Sequence, residues 1–253
     1  MRDVSNDRLP ASVCNRLPAV AGVTSQAPAR RTPRCCRIED RQMQSHPIDI
    51  VAIGASAGGV ETLSKLLHLL PADLPATVLV TLHRPVSRES QLQQILARAS
   101  RLPVVVAKQG EKLQPRTCYL GAPSRHLAIG PGLVARLVHD GFYRGHNIDL
   151  LFTSLARNAG PRAVGVVLSG LMKDGTPGLA AMKEAGGKAL VQSLVEAPFK
   201  DMPRSAIEYD GAIDMIGPVH DLAQEICRLV RMTAVAKSPE TGPATAPVAR
   251  LPP

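Results

Sequence analysis

The chain has 253 residues, a formal net charge of +9, three Phe, three Tyr and no Trp. Eight arginines against four acids in residues 1–47 carry much of that charge. No basic stripe interleaved with aromatic platforms follows, so the composition argues against a nucleic-acid surface.

Residues 1–47 hold Pro10, Pro18, Pro28, Pro33 and Pro47 with scattered arginines and no sustained period; a disordered, basic Pro/Arg-rich tail is expected. Met43, just ahead of the first strand signal, offers an alternative translation start. The segment carries acids and arginines where a signal peptide needs an apolar stretch, and no run of eighteen apolar residues occurs in the chain. The five cysteines are odd in number, and three lie before residue 47 without C-x-x-C spacing. A reduced, cytoplasmic protein is expected, without membrane insertion, metal or cofactor.

From residue 48 to 234 strand-like and helix-like patterns alternate, the signature of βαβ units. Ile48–Ile53 reads as a buried strand, Gly54–Gly59 as a turn, Val60–Leu70 as a helix stopped by Pro71, and Thr77–Leu82 as a second strand. Glu89–Ala99 has helical spacing. Val104–Ala107 and Cys118–Leu120 read as short strands, and Leu127–Ile129 with Leu133–Val138 as a hairpin around Gly130-Pro131-Gly132. Asn147–Asn158 reads as a helix, Ala163–Leu168 as a buried strand, Thr176–Ala185 as a helix and Ala189–Gln192 as a strand. Asp221–Met232 closes the domain as an amphipathic helix. The predicted fold is α/β and three-layered: a mostly parallel, doubly wound, Rossmann-like sheet with a small antiparallel hairpin. A Pro/Ala-rich, disordered tail is expected over 235–253.

Reactive groups of open parallel sheets gather beyond the carboxyl ends of the strands. Three strand ends carry such residues: Ser56, His83 and Asp174. Gly54-Ala55-Ser56-Ala57-Gly58 satisfies G-x-S-x-G on a strand-to-helix turn, which exposes the serine hydroxyl near free helix amides. A serine hydroxyl is a weak nucleophile and needs a base, and the base needs a third group to orient it. His83 and Asp174 fit those roles. The plainer alternatives are a Ser56 that caps its helix, a solvated His83, and an Asp174 that serves an Asp-Gly turn or a helix cap. The order Ser, His, Asp differs from the Ser, acid, His order of α/β-hydrolases, which would require His220 as base.

Val51-Ala-Ile-Gly-Ala-Ser-Ala-Gly-Gly59, Leu82-His83-Arg84-Pro85, Ala122-Pro-Ser-Arg-His-Leu127, Leu168-Ser-Gly-Leu-Met-Lys-Asp-Gly175 and Asp201-Met-Pro-Arg204 resemble, in order, the catalytic domain of the CheB family of protein-glutamate methylesterases. The resemblance implies Ser56 as nucleophile, His83 as base, Asp174 as the group that orients it, and the Leu171 backbone N–H in the oxyanion hole. It implies hydrolysis of glutamate methyl esters on chemoreceptor cytoplasmic helices, and deamidation of receptor glutamines, through an acyl-serine. Two departures stand out. Residues 1–47 are too short for the receiver domain of the family's best-known members, so phosphorylation control within this chain is not expected. Tyr143-Arg-Gly-His-Asn-Ile-Asp149 only partly matches the family's His-Arg-Pro-Ser-Val-Asp stretch.

Two other function classes compete. Gly54-x-x-x-Gly58-Gly59 also resembles the glycine turn of NADP-dependent reductases, with Arg84 placed for a 2′-phosphate, but the acidic ribose ligand and a Tyr-x-x-x-Lys pair are missing. A catalytically silent docking module would keep the fold, with Ala57 beside the serine and the altered 143–149 segment leaving room for it.

Overall fold

A computed structural model describes residues 48–83, 91–122, 125–139, 145–209 and 213–235. The expected tail over 1–47, nearly all of that over 235–253, and Arg84 and Pro85 lie outside them. The described chain runs β1 (Ile50–Ala55), α1 (Gly59–Leu69), β2 (Thr77–Leu82), α2 (Leu92–Ala99), β3 (Val104–Val106), β4 (Cys118–Leu120), β5 (Arg125–Gly130), β6 (Val134–His139), α3 (Asn147–Asn158), β7 (Ala163–Val167), α4 (Thr176–Glu184), β8 (Lys188–Gln192), α5 (Asp201–Glu208), β9 (Met215–Gly217) and α6 (Val219–Val235).

Seven strands form one sheet in the order β3-β4-β2-β1-β7-β8-β9, and every neighbouring pair is parallel. β1, β2 and β7 are buried at every position, as continuous apolar runs covered on both faces must be. Successive side chains of β1 alternate between the two faces. Val51, Ile53 and Ala55 enter a core shared with α1, α2 and α6, while Ile50 and Ala52 enter a second core shared with α3, α4 and α5. These are the three layers that the alternating pattern predicts.

β5 and β6 pair antiparallel from Arg125↔His139 to Gly130↔Val134, the hairpin expected around Gly130-Pro131-Gly132. It packs on α3, where the Ser154 hydroxyl accepts the Ile129 N–H and Asn158 Nδ2 donates to the Ile129 carbonyl.

The chain leaves β1 toward β2 on one side and returns beside β1 as β7 on the other. The crevice at such a reversal, beyond the strand ends, is where α/β sheets bind ligands. β1 and β7 feed Ser56 and Asp174 into that crevice, and β2 adds His83.

The sequence reading has no counterpart for α5, β9 or the 3₁₀ turn at Gly160–Arg162. Pro203 inside α5 reads as a helix breaker, yet near a helix N-terminus its missing N–H has no intrahelical partner to lose. β9 has only three residues and leaves Ile216 half-exposed. β1 is shifted two residues toward Ser56 relative to the expected strand, and α6 is longer at both ends.

Candidate active site

The strand ends stay stitched together past the regular ladder. The His83 N–H donates to the Ala55 carbonyl at 3.3 Å, Leu168 N–H to Gly54 at 2.9 Å, and Ser56 N–H to Ser169 at 3.0 Å. Three loops from different parts of the sequence are thereby fixed against one another by backbone bonds. Gly58, at φ 67°, turns the chain into α1 in the left-handed region that glycine tolerates, and the Ser56 carbonyl accepts the Gly59 N–H at 2.9 Å.

The Ser56 hydroxyl lies 3.0 Å from His83 Nδ1, and His83 Nε2 lies 2.8 Å from Asp174 Oδ2. With Nε2–H donating to the carboxylate, Nδ1 is the unprotonated nitrogen and accepts the serine proton. The ring is thus reversed relative to the template in which Nε2 faces the serine.

The plainer alternatives for these residues meet different geometry. Gly58 caps α1 and Gly175 caps α4, and neither cap carries a side-chain hydrogen bond; Ser56 and Asp174 are spent on His83 instead. His220 sits exposed beside its own neighbour Asp221 at 3.3 Å. On the glycine turn, a Cβ on Gly58 would meet the Phe199 ring at 2.9 Å and Ser169 Oγ at 3.1 Å.

Asp174 is only 3% exposed. Burial alone would raise its pKa, but hydrogen bonds from His83, from the Ile148 N–H at 2.9 Å and from the Asp149 N–H at 3.0 Å outweigh it. They hold the carboxyl below its ordinary value. Both amides belong to the first turn of α3, whose orphan N–H groups and dipole favour an anion. Asp174 therefore caps a helix 25 residues upstream rather than the one it precedes.

Asp149 lies behind Asp174 and behaves oppositely. Burial pushes its pKa up to about 6, the Gly178 N–H at 2.8 Å pulls it down, and the Asp174 charge adds to the rise. His146, Asp149 and Asp174 bring one donor atom each within 4.8 Å of one another. Asp174 already accepts His83 Nε2–H and the Ile148 and Asp149 amides, and Asp149 Oδ1 accepts the Gly178 N–H, so these oxygens are committed to donors within the protein. Asp149 and Asp174 form a close carboxyl pair.

The loop after β7 is held from beneath. Ser169, fully buried, donates from Oγ to the Ala57 carbonyl at 2.9 Å and accepts the Phe199 N–H at 3.0 Å; its own N–H goes to Gln192 Oε1 at 2.9 Å. Gly170 N–H donates to Phe199, and Met202 N–H returns to Gly170. Leu171 is the next residue, 44% exposed, and its N–H makes no hydrogen bond among the described residues. Met172 follows at φ 69°, a left-handed conformation that costs a non-glycine residue about 1–2 kcal/mol. Beside this loop a cleft of about 420 Å³ is lined by Met172, Lys173, Asp201, Arg204, Glu208 and Tyr209, two of them from the Asp201–Arg204 stretch.

Asp149, Ser169 and Gln192 were not singled out in the sequence. Asp149 had a visible signal, as an acid in the first turn of a helix that ends the only partly matching 143–149 segment. Ser169 lies in the 168–175 stretch that carries the family resemblance, but nothing there or at Gln192 names partners so distant in sequence.

A parallel sheet with a hydrogen-bonded serine, histidine and aspartate at its switch point is the architecture of a serine hydrolase. Residues 51–226 match the CheB methylesterase family, and the chain belongs to it. It is 36% identical over 219 residues to a Caulobacter vibrioides protein named protein-glutamate methylesterase/protein-glutamine glutaminase 1, covering 85% of this chain and 62% of that one. A protein from Anaeromyxobacter dehalogenans, numbered 2 under the same name, is 37% identical over 188 residues, with 73% and 54% covered. The chain spans about half the length of the curated relatives it matches. The crystal structure of the Thermotoga maritima CheB methylesterase catalytic domain superposes with a TM-score of 0.67 at 29% identity, over 72% of this chain and 98% of that one.

Proposed function

We propose that this chain is a cytoplasmic protein-glutamate methylesterase, acting on methylated helices of chemotaxis-type receptors and also deamidating receptor glutamines. The observation that carries the proposal is the unbroken chain of bonds from Ser56 through His83 to Asp174, at 3.0 and 2.8 Å, in a member of the CheB methylesterase family. The relatives' names carry both activities. No described helix is long and apolar enough to cross a membrane.

Ser56 Oγ attacks the ester carbonyl carbon while its proton passes to His83 Nδ1. The buried Asp174 carboxylate stabilises the imidazolium through Nε2–H. The negative oxygen of the tetrahedral intermediate is met by the Leu171 N–H. Collapse breaks the C–O bond, and methanol leaves with the proton from Nδ1. Water then attacks the acyl-serine, giving one proton to Nδ1, and the second collapse returns that proton to Ser56 and frees the glutamic acid, which releases its own proton to solvent as the carboxylate. A glutamine side chain follows the same course with ammonia as the leaving group, so one site serves ester and amide. The cleft beside Met172 and Arg204, with both signs of charge on its walls, suits the polar surface of a protein substrate.

The test is methanol release from carboxyl-methylated receptor cytoplasmic fragments by the wild type and by Ser56→Ala. Release by the wild type alone supports reaction and nucleophile together. Release by neither overturns the reading in favour of a silent docking module.

A further inference from the structure

Behind the Ser56–His83–Asp174 set stands a group that the reaction as written does not use. Asp149 meets Asp174 in two ways: its N–H donates to Asp174 Oδ1 at 3.0 Å, and its own carboxyl lies within 4.8 Å of the Asp174 carboxyl. On its other side Asp149 Oδ1 accepts the Gly178 N–H at 2.8 Å. That bond depends on a close crossing of α3 and α4. A Cβ on Gly178 would lie 3.0 Å from the Asp149 Cα and 3.1 Å from its carbonyl oxygen, so only glycine lets the two backbones meet there. His146 Nδ1, at the mouth of α3, lies 3.6 Å from Asp149 Oδ2. The groups that face Asp149 are thus Asp174 from the loop after β7, His146 from its own helix end, the Gly178 amide from α4 and, beyond Asp174, His83 from the end of β2.

Resting on the reading above, we propose that Asp149 is a positioning residue of this site that acts on His83 through Asp174. It fixes the first turn of α3 against α4 so that two amides meet the Asp174 carboxylate, and it presents its own carboxyl to the same group. As the neutral acid it donates a proton to a hydrogen bond with Asp174 and draws charge away from the edge that faces His83. Once ionised it adds a second negative charge behind Asp174 and favours the imidazolium. Burial and the Asp174 charge bring this change to about pH 6, so the basicity of His83 depends on whether Asp149 carries its proton.

Asp149→Asn imitates the neutral acid at every pH, and its side chain can still accept the Gly178 N–H. Two readouts follow: the pH at which the His83 ring takes up its proton, by NMR, and the pH profile of methanol release from a methylated receptor fragment. The His83 titration and the acid limb of kcat/KM are expected to move to lower pH by about half a unit or more, with KM unchanged. A merely structural role would lower stability or turnover at all pH values alike and leave the His83 titration where it was; that result overturns the proposal. Should the variant not fold, the wild type supplies the same test. The His83 ring must then show a second inflection where the Asp149 carboxyl carbon titrates, and a single inflection overturns the proposal. A protein that releases no methanol yet shows the shifted His83 titration removes the proposed function and keeps this role, and the reverse pattern removes this role alone.

Discussion

The Ile148 side chain lies directly against the backbone of Gly54, where a Cβ would overlap its Cγ2. Gly54 is two residues before Ser56, and the Ile148 N–H holds Asp174. Strand β1, which leads to Ser56, and helix α3, whose amides hold Asp174, therefore share a contact with no room for a methyl group. Gly54→Ala should destabilise the fold by about 1–3 kcal/mol, as overpacking does, and should lower turnover by displacing the Ile148 amide. Chemical denaturation and methanol release check both. Adding Ile148→Ala opens the space, so the double variant should lose less stability than the two single losses combined; simple additivity would show that the two residues do not press on each other.

Asp174 accepts hydrogen bonds from three donors: His83 Nε2–H and the amides of Ile148 and Asp149. Asp174→Asn sets an NH₂ group against at least one of them and removes the charge that stabilises the imidazolium. Turnover should fall by roughly 10⁴, the scale of the tautomer effect in serine hydrolases. The circular dichroism spectrum should stay that of the wild type. Unchanged turnover would take Asp174 out of the mechanism.

Elements bounded by strong breakers were legible from sequence. Thr77–Leu82, Cys118–Leu120 and Asn147–Asn158 match the expected elements at both ends. The meeting of Ser56, His83 and Asp174 followed from the strand-end rule, because Ser56 and His83 directly follow apolar runs and Asp174 lies on the loop after another. What lay beyond reach is the pairing that long-range packing creates. Nothing local in Asp174 says that its partners are the amides of a helix 25 residues earlier. Nothing in the Leu82-His83 stretch says which ring nitrogen meets the serine. α5 escaped because Pro203 masks it, and β9 because three residues carry no period.

Ser169 Oγ joins the serine turn to the Phe199 segment through the Ala57 carbonyl and the Phe199 N–H. Ser169→Ala takes that partner from two part-buried groups, which costs about 1 kcal/mol. Because Ser169 is also the residue whose carbonyl holds the Ser56 N–H, its displacement should misplace the nucleophile. The expected result is a lower melting temperature together with a kcat reduced more than KM is raised. A change in stability without any change in kcat would limit Ser169 to a structural part.

Asp214 ties the edge of the sheet by accepting Lys183 Nζ at 2.6 Å, Lys188 Nζ at 3.0 Å and the Ala189 N–H at 2.9 Å. Burial would raise its pKa, but the two ammonium groups and the amide prevail and hold the carboxyl below its ordinary value. A carboxyl with a lowered pKa in the folded state binds protons more weakly there than in the unfolded chain. Its contribution to stability is therefore complete above the ordinary aspartate value, about 4, and is lost as pH falls through the folded one. Asp214→Asn should cost about 1 kcal/mol at pH 7, the scale of partly exposed ion pairs. The gap to the wild type should close as the pH drops below about 4, and should shrink in 1 M salt at neutral pH. Urea denaturation at both pH values and both salt concentrations measures this. A gap that stayed constant throughout would mean that the amide hydrogen bond, and not the two lysines, carries the stabilisation.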